Sequence, residues 1–69
     1  MKLSARNVLP ATVINIQTGA VNSEVTVRLE GGQEMVSIIT NTSARHLDLR
    51  PGAEVRVIVK ASNVMLGVE

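Results

Sequence analysis

Val21–Leu29 reads VNSEVTVRL, and its alternation decides the fold class. The odd positions Val21, Val25, Val27 and Leu29 are apolar, and the even positions Asn22, Glu24, Thr26 and Arg28 are polar. Successive side chains of a strand point to opposite faces, so a period of two predicts a strand with one buried face. Ala53–Lys60, AEVRVIVK, repeats the pattern with Val55, Val57 and Val59 inward. Two other stretches, Val8–Ile16 (VLPATVINI) and Met35–Thr40 (MVSIIT), carry aliphatic residues on both faces. In a small barrel one of those faces meets water. A strand apolar on both sides therefore predicts that a second chain covers the outer face.

The punctuation between these runs fits short connections. Thr18-Gly19 closes a turn between the first two strands, and Gly31-Gly32 reads as a tight hairpin between the second and third. Arg50-Pro51-Gly52-Ala53 fits a type II turn, with proline second and glycine third, where φ must be positive. Between the third and fourth strands, NTSARHLDL predicts one short helical turn. Asn41, Thr42 or Ser43 caps its start, and Leu47 and Leu49 pin its far end. Ala61–Asn63 breaks the chain before a last strand, Val64–Val68. Five strands with a helix between the third and fourth predict an all-β chain, a five-stranded Greek-key barrel of the OB type, as one domain over residues 1–69. A small open β-sandwich is the competing architecture. The tripeptide Ser-Ala-Arg occurs at Ser4–Arg6 and again at Ser43–Arg45, once at a strand start and once at a helix start. Different backbone roles argue for coincidence rather than duplication.

Composition restricts what such a domain can do. A chain of 69 residues buries only about 60% of the surface its unfolded form exposes. It needs a disulfide, a metal or a partner to be firmly stable. There is no cysteine and one histidine, His46, which excludes disulfides and a zinc centre and leaves oligomerisation. Seven basic and six acidic residues nearly cancel, so no net field draws nucleic acid or an anionic membrane. Asn7–Ser23 lacks formal charge but contains Asn, Thr, Gln, Pro and Gly, which fits neither a membrane span nor a signal peptide. The absence of cysteine fits a cytoplasmic protein.

Catalysis finds no support in the residue set. Glu24, Glu30, Glu34, Asp48 and Glu54 fall on polar strand faces or beside turns, where carboxylates are ordinarily solvated. His46 has no nucleophile or orienting carboxylate nearby in sequence, and a Gly-Gly hairpin is not a phosphate loop. The chain reads as a non-enzyme. OB-type barrels that hold single-stranded nucleic acid stack bases on aromatic rings, and this chain has no Phe, Trp or Tyr. What remains is hydrogen-bond donors at strand ends: Ser4, Arg6 and Asn7, then Thr40 to Ser43, then Lys60 and Ser62. Hydroxyls, two fixed cations and the N–H groups of a helix start suit an anion. No acidic side chain lies in these stretches, so the cage suits a fully deprotonated tetrahedral dianion. Monohydrogen phosphate brings a proton with no acceptor, a penalty of about 1–3 kcal/mol. In the alternative reading, Arg6 and Lys60 are surface charges and the hydroxyls are caps.

SARNVLPATV at the N-terminus, GAVNSEVTVRLEGGQEMVSIIT in the middle and LDLRPGAEVRVIVKASNVMLGVE at the end together resemble the molbindin, or Mop-like, TOBE-type family across essentially the whole chain. The resemblance is to the free-standing form, without a DNA-binding or ATPase part. It implies an OB-type barrel whose chains pair by strand exchange, three dimers forming a homo-hexamer. It also implies a cytoplasmic binding and storage role for molybdate, or its near-twin tungstate, held between subunits, with no other cofactor. By position, Ser4, Ala5, Arg6 and Asn7 would come from one chain, and Thr40, Ser43, Lys60, Ala61 and Ser62 from its neighbour. A second site near a threefold axis would use the turn Gly19, Ala20, Val21 and Asn22. Two positions depart from the family pattern. Ala11 stands where glycine is expected, which predicts looser packing there, and Ser62 is one of several small residues found at its position. A nucleic-acid-binding barrel and a ligand-free assembly module are the alternatives.

Overall fold

The alternating run becomes strand β2, Asn22–Leu29, with Val25 and Val27 buried and Leu29 half-buried. Its first expected inward residue is not inward: Val21 is 69% exposed, and Ser23 takes the buried position at 2%. The computed structural model describes all 69 residues. β2 lies in one antiparallel sheet with β1 (Asn7–Thr18), β3 (Glu34–Thr40) and β4 (Glu54–Val59), in the order β3-β2-β1-β4. Helix α1, Asn41–His46, joins β3 to β4, and a 3₁₀ turn, Ala61–Asn63, follows β4.

Register explains part of the two-faced pattern of β1. Val13 pairs with Val27 but Asn15 pairs with Thr26, so Ile14 is an extra residue, a β-bulge. The bulge changes the inward parity from Ala11 and Val13 to Ile16, so an apolar run that looks two-sided partly serves a single face. Elsewhere the pattern is two-sided in fact. In β3, Met35 and Ile39 pack on the core while Val36 and Ile38 point outward, 60% and 68% exposed. Val55 and Val57 of β4 pack inward, and Ile58 stays on the outside. The core proper is Ala11, Val13, Val25 and Val27, surrounded by half-buried aliphatics including Leu49. The methyl of Ala11, where the resemblance expects glycine, is buried in that cluster.

The turns follow their residues. Ala53 donates to the Arg50 carbonyl at 3.0 Å and Gly52 has φ +92, the type II turn. Bonds from Gly52 N–H to Val13 O and from Val13 N–H to Ala53 O fasten this turn to β1. In the β2–β3 hairpin Gly32, not Gly31, takes the positive φ of +93. Helix α1 begins one residue earlier than expected: its cap is Thr40, whose hydroxyl accepts from Ser43 N–H. Of the two residues expected to pin its end, Leu49 packs on the core and Leu47 is 60% exposed.

The chain is mostly β with one short helix, as expected, but its sheet has four strands rather than five. Val64–Val68 pairs with nothing, and Met65, Leu66 and Val68 are more than nine-tenths exposed. A strand exists only where a neighbouring edge takes its N–H and C=O groups, and the 3₁₀ turn after β4 leads this segment away from the sheet. β3 and β4 are therefore both free edges. An apolar cleft of about 230 Å³ opens onto the core, lined by Met35, Ile39, Leu47, Leu49, Val57 and Ile58 among others. The radius of gyration is 12.8 Å, against about 11 Å for a closed domain of this length.

Candidate functional site

The donor-bearing segments gather at the two ends of β1. At the first end Asn7 pairs with Val59, so Ser4–Arg6 and Lys60–Ser62 leave the sheet side by side. Arg6 and Lys60 adjoin that pair directly, which limits their Cα separation to about 13 Å, within joint reach of two long side chains. Both are exposed, and neither belongs to the chain's two ion pairs, Arg28–Glu34 at 2.9 Å and Arg50–Asp48 at 3.4 Å. Lys60 leads the 3₁₀ turn with φ −63 and ψ 129, and its carbonyl accepts from Asn63 N–H at 2.9 Å. The N–H groups of Ala61 and Ser62 precede that first bond and so have no acceptor inside the turn. Ser4, Ala5 and Asn7 complete this group, with Ala5 and Asn7 half-buried.

Thr40 and Ser43 stand at the other end. Thr40 pairs with Asn22, and Ser23 pairs with Thr18 at the end of β1. With 12 residues in β1, the two ends lie roughly 30–35 Å apart along the strand. One chain therefore unites Ser4–Asn7 with Lys60–Ser62, which the resemblance assigns to different copies, and leaves Thr40 and Ser43 apart from both. The helix start is also less free than its sequence implied. Ser43 N–H is held by Thr40 Oγ1 at 3.0 Å, and Thr40 Oγ1 donates to Ser43 Oγ at 2.9 Å. Asn41 N–H is held by Val21 O at 2.8 Å. For an incoming anion, Ser43 has its hydroxyl to offer rather than its N–H.

The third segment, Gly19–Asn22, is the turn joining β1 to β2, closed by Gly19 N–H to Asn22 O at 2.8 Å. Glycine is required here because a Cβ at position 19 would sit 2.8 Å from that same carbonyl oxygen. Asn41, read from sequence only as a possible cap, grips this turn from outside. Its Nδ2 donates to Gly19 O at 2.9 Å, and its Oδ1 accepts from the buried Ser23 hydroxyl. A side chain reaching back 22 residues leaves no local signature, so no sequence pattern marks it. No three His, Asp or Glu side chains gather in a way that could hold a metal ion, and no helix is long and apolar enough to cross a membrane.

Comparison with known proteins supplies the relationship. The TOBE domain model matches residues 3–66. A probable molybdenum-pterin-binding protein of Haemophilus influenzae is 41% identical over 69 residues, covering the whole of both chains. The structure superposes on a molybdate-binding protein from Sporomusa ovata with a TM-score of 0.92 and 40% identity, covering 99% of this chain and all of the other. It superposes on the cytoplasmic molybdate-binding protein ModG, crystallised with molybdate bound, with a TM-score of 0.95 and 52% identity, covering all of this chain and 49% of that one. Some other curated relatives, MopA of Rhodobacter capsulatus and ModE of Azotobacter vinelandii among them, are longer, and the chain spans about a quarter of their length. A family model across nearly the full length, and a relative matched end to end, place this chain in the TOBE-domain family as a Mop-like molbindin.

Proposed function

We propose that this chain binds molybdate, or tungstate, as a tetrahedral dianion at boundaries between copies of itself, and stores it in the cytoplasm without a catalytic step. The observation that carries the reading is the Asn7–Val59 pair, which delivers two unpaired cations, Arg6 and Lys60, to one strand end. Their own segments, Ser4–Asn7 and Lys60–Ser62, supply hydroxyls and main-chain N–H groups and no carboxylate. Arg6 and Lys60 offset the two negative charges. Ser4, Ala5, Asn7, Ala61 and Ser62 fix oxygen atoms, Ser43 of another copy adds its hydroxyl, and Thr40 of that copy donates to that hydroxyl and orients it. Gly19–Asn22 forms the second, threefold site. The names of the structural relatives, a molybdate-binding protein and the molybdate-bound ModG, support the choice of anion. A relative's name mentions a pterin. A flat pterin ring is ordinarily gripped by aromatic stacking, and this chain has no aromatic side chain, which favours the bare oxyanion.

The assembly in this proposal is a homo-hexamer of three strand-exchanged dimers. It is supported by two free sheet edges, an exposed apolar outer face on β3, and an unpaired aliphatic tail of the right composition for a strand. The test is a calorimetric titration of the purified protein with molybdate, with sulfate and phosphate as controls. Selective binding of more than one anion per chain is the expected result. No heat with any oxyanion refutes the function and leaves the fold untouched.

A further inference from the structure

We propose that Asn41 is the positioning residue of the Gly19–Asn22 oxyanion site, holding the Gly19 and Val21 carbonyls back so that the Ala20 and Asn22 N–H groups face the anion. The inference rests on the proposed molybdate reading of that turn. Its basis is three hydrogen bonds made by one residue. Asn41 Nδ2 donates to Gly19 O at 2.9 Å, Asn41 N–H donates to Val21 O at 2.8 Å, and Asn41 Oδ1 accepts from Ser23 Oγ. A trans peptide unit is planar, with its C=O and N–H pointing in opposite directions. Fixing the Gly19 carbonyl toward Asn41 therefore points Ala20 N–H away from it. Fixing the Val21 carbonyl does the same for Asn22 N–H. Ala20 N–H and Asn22 N–H, two residues apart, are thus turned to the side opposite Asn41, while the peptide unit between them, Ala20 C=O with Val21 N–H, makes no bond to Asn41.

The support behind the turn is rigid. Asn41 is half-buried, and the hydroxyl that orients its amide belongs to Ser23, which is 2% exposed. Gly19 O can only accept, so Nδ2 must face it, which leaves Oδ1 to accept from Ser23, and the amide orientation is determined by its partners. Asn41 itself touches no anion in this arrangement.

The test is a titration with molybdate of the assembled wild-type protein and of Asn41→Ala and Asn41→Ser, with assembly followed by sedimentation. Asn41→Ser keeps the Val21 bond and a polar side chain, is too short to hold both Ser23 and Gly19, and adds no charge beside the anion, so it reports on position even where Asn41→Ala fails to fold. The binding class that survives Arg6→Ala identifies the turn site. The expected result is an intact assembly in which that class weakens by about tenfold, the worth of an ordinary hydrogen bond, while the Arg6-dependent class moves less than about threefold. Unchanged affinity at the turn class in both variants overturns the proposal. Proportionate loss at both classes with a weakened assembly also overturns it, because it makes Asn41 a stability residue only. A wild-type protein with one class alone, wholly dependent on Arg6, refutes the inference and leaves the proposed function standing. No binding at all removes the proposed function itself.

Discussion

Replacing Arg6 or Lys60 by alanine is expected to weaken molybdate binding by roughly thirty-fold for each substitution. Both side chains are exposed and unpaired in the chain, so neither has an internal partner to lose. Their contribution is then the attraction to the incoming dianion. A unit cation about 4 Å from a doubly charged anion gains about 2 kcal/mol at the dielectric constant of water, and more as the boundary between copies excludes solvent. That agrees with the about 1.5–3 kcal/mol of a hydrogen bond to a charged group, and 2 kcal/mol is roughly thirty-fold in affinity. Repulsion between Arg6 and Lys60 is present with and without anion, so it cancels from the binding energy. The double variant should accordingly lose close to the product of the single effects. Folding should not suffer, because removing one of two neighbouring like charges relieves repulsion.

The assay is calorimetric titration at fixed ionic strength, because screening weakens such contacts as salt rises. Arg50→Ala serves as the control, since Arg50 is paired with Asp48 on a turn that joins neither donor group; its affinity should stay within about twofold. Full affinity in both Arg6→Ala and Lys60→Ala would refute the reasoning, whatever else the protein binds.

Three further outcomes follow from the fold. Gly19→Ala should destabilise the domain by about 1–3 kcal/mol, because its Cβ meets the Asn22 carbonyl at 2.8 Å and the turn must strain to admit it; thermal unfolding measures this. Asp48 is the one non-glycine residue at positive φ, 52°, and its ion pair with Arg50 is exposed on both sides. Asp48→Gly should therefore gain about 0.5–1 kcal/mol, a rise of a few degrees in Tm. Truncation after Asn63 removes Val64, Met65, Leu66 and Val68, each worth about 1.5–3 kcal/mol when buried. Most of that is offset by ordering the segment, at about 1–2 kcal/mol per residue. The truncated chain should sediment as a smaller species, and an unchanged assembly would rule out strand exchange through this tail.

Where sequence reading succeeded, the determining interactions are local. The period of two in β2 and β4, the proline-glycine pair at Pro51-Gly52 and the turn at Gly19 each depend on neighbouring residues, and each appears in the structure as read. Parity failed at one place: it took the run through Ile14 as two-faced where a bulge changes phase, which depends on the register against another strand. Val21 shares the inward parity of the buried Ser23 but lies before the strand begins at Asn22, and is exposed.

The candidate site divides along the same line. Ser4, Arg6, Asn7, Lys60 and Ser62 were legible as donors from residue type and the absence of carboxylates, and the β1–β4 register then brought them to one strand end. Thr40 and Ser43 share that donor chemistry but leave the sheet at the opposite end of β1. Helix-start N–H groups read as free are in part bonded within the chain. By itself the sequence determined the strand class, the turns and a donor-rich chemistry suited to an anion, because these depend on side-chain period and residue type. Only the tertiary structure decided which donors meet, that Asn41 supports the Gly19–Asn22 turn, and that Val64–Val68 finds no edge in its own chain. Those outcomes require hydrogen-bond partners far apart in sequence, and folding alone selects them.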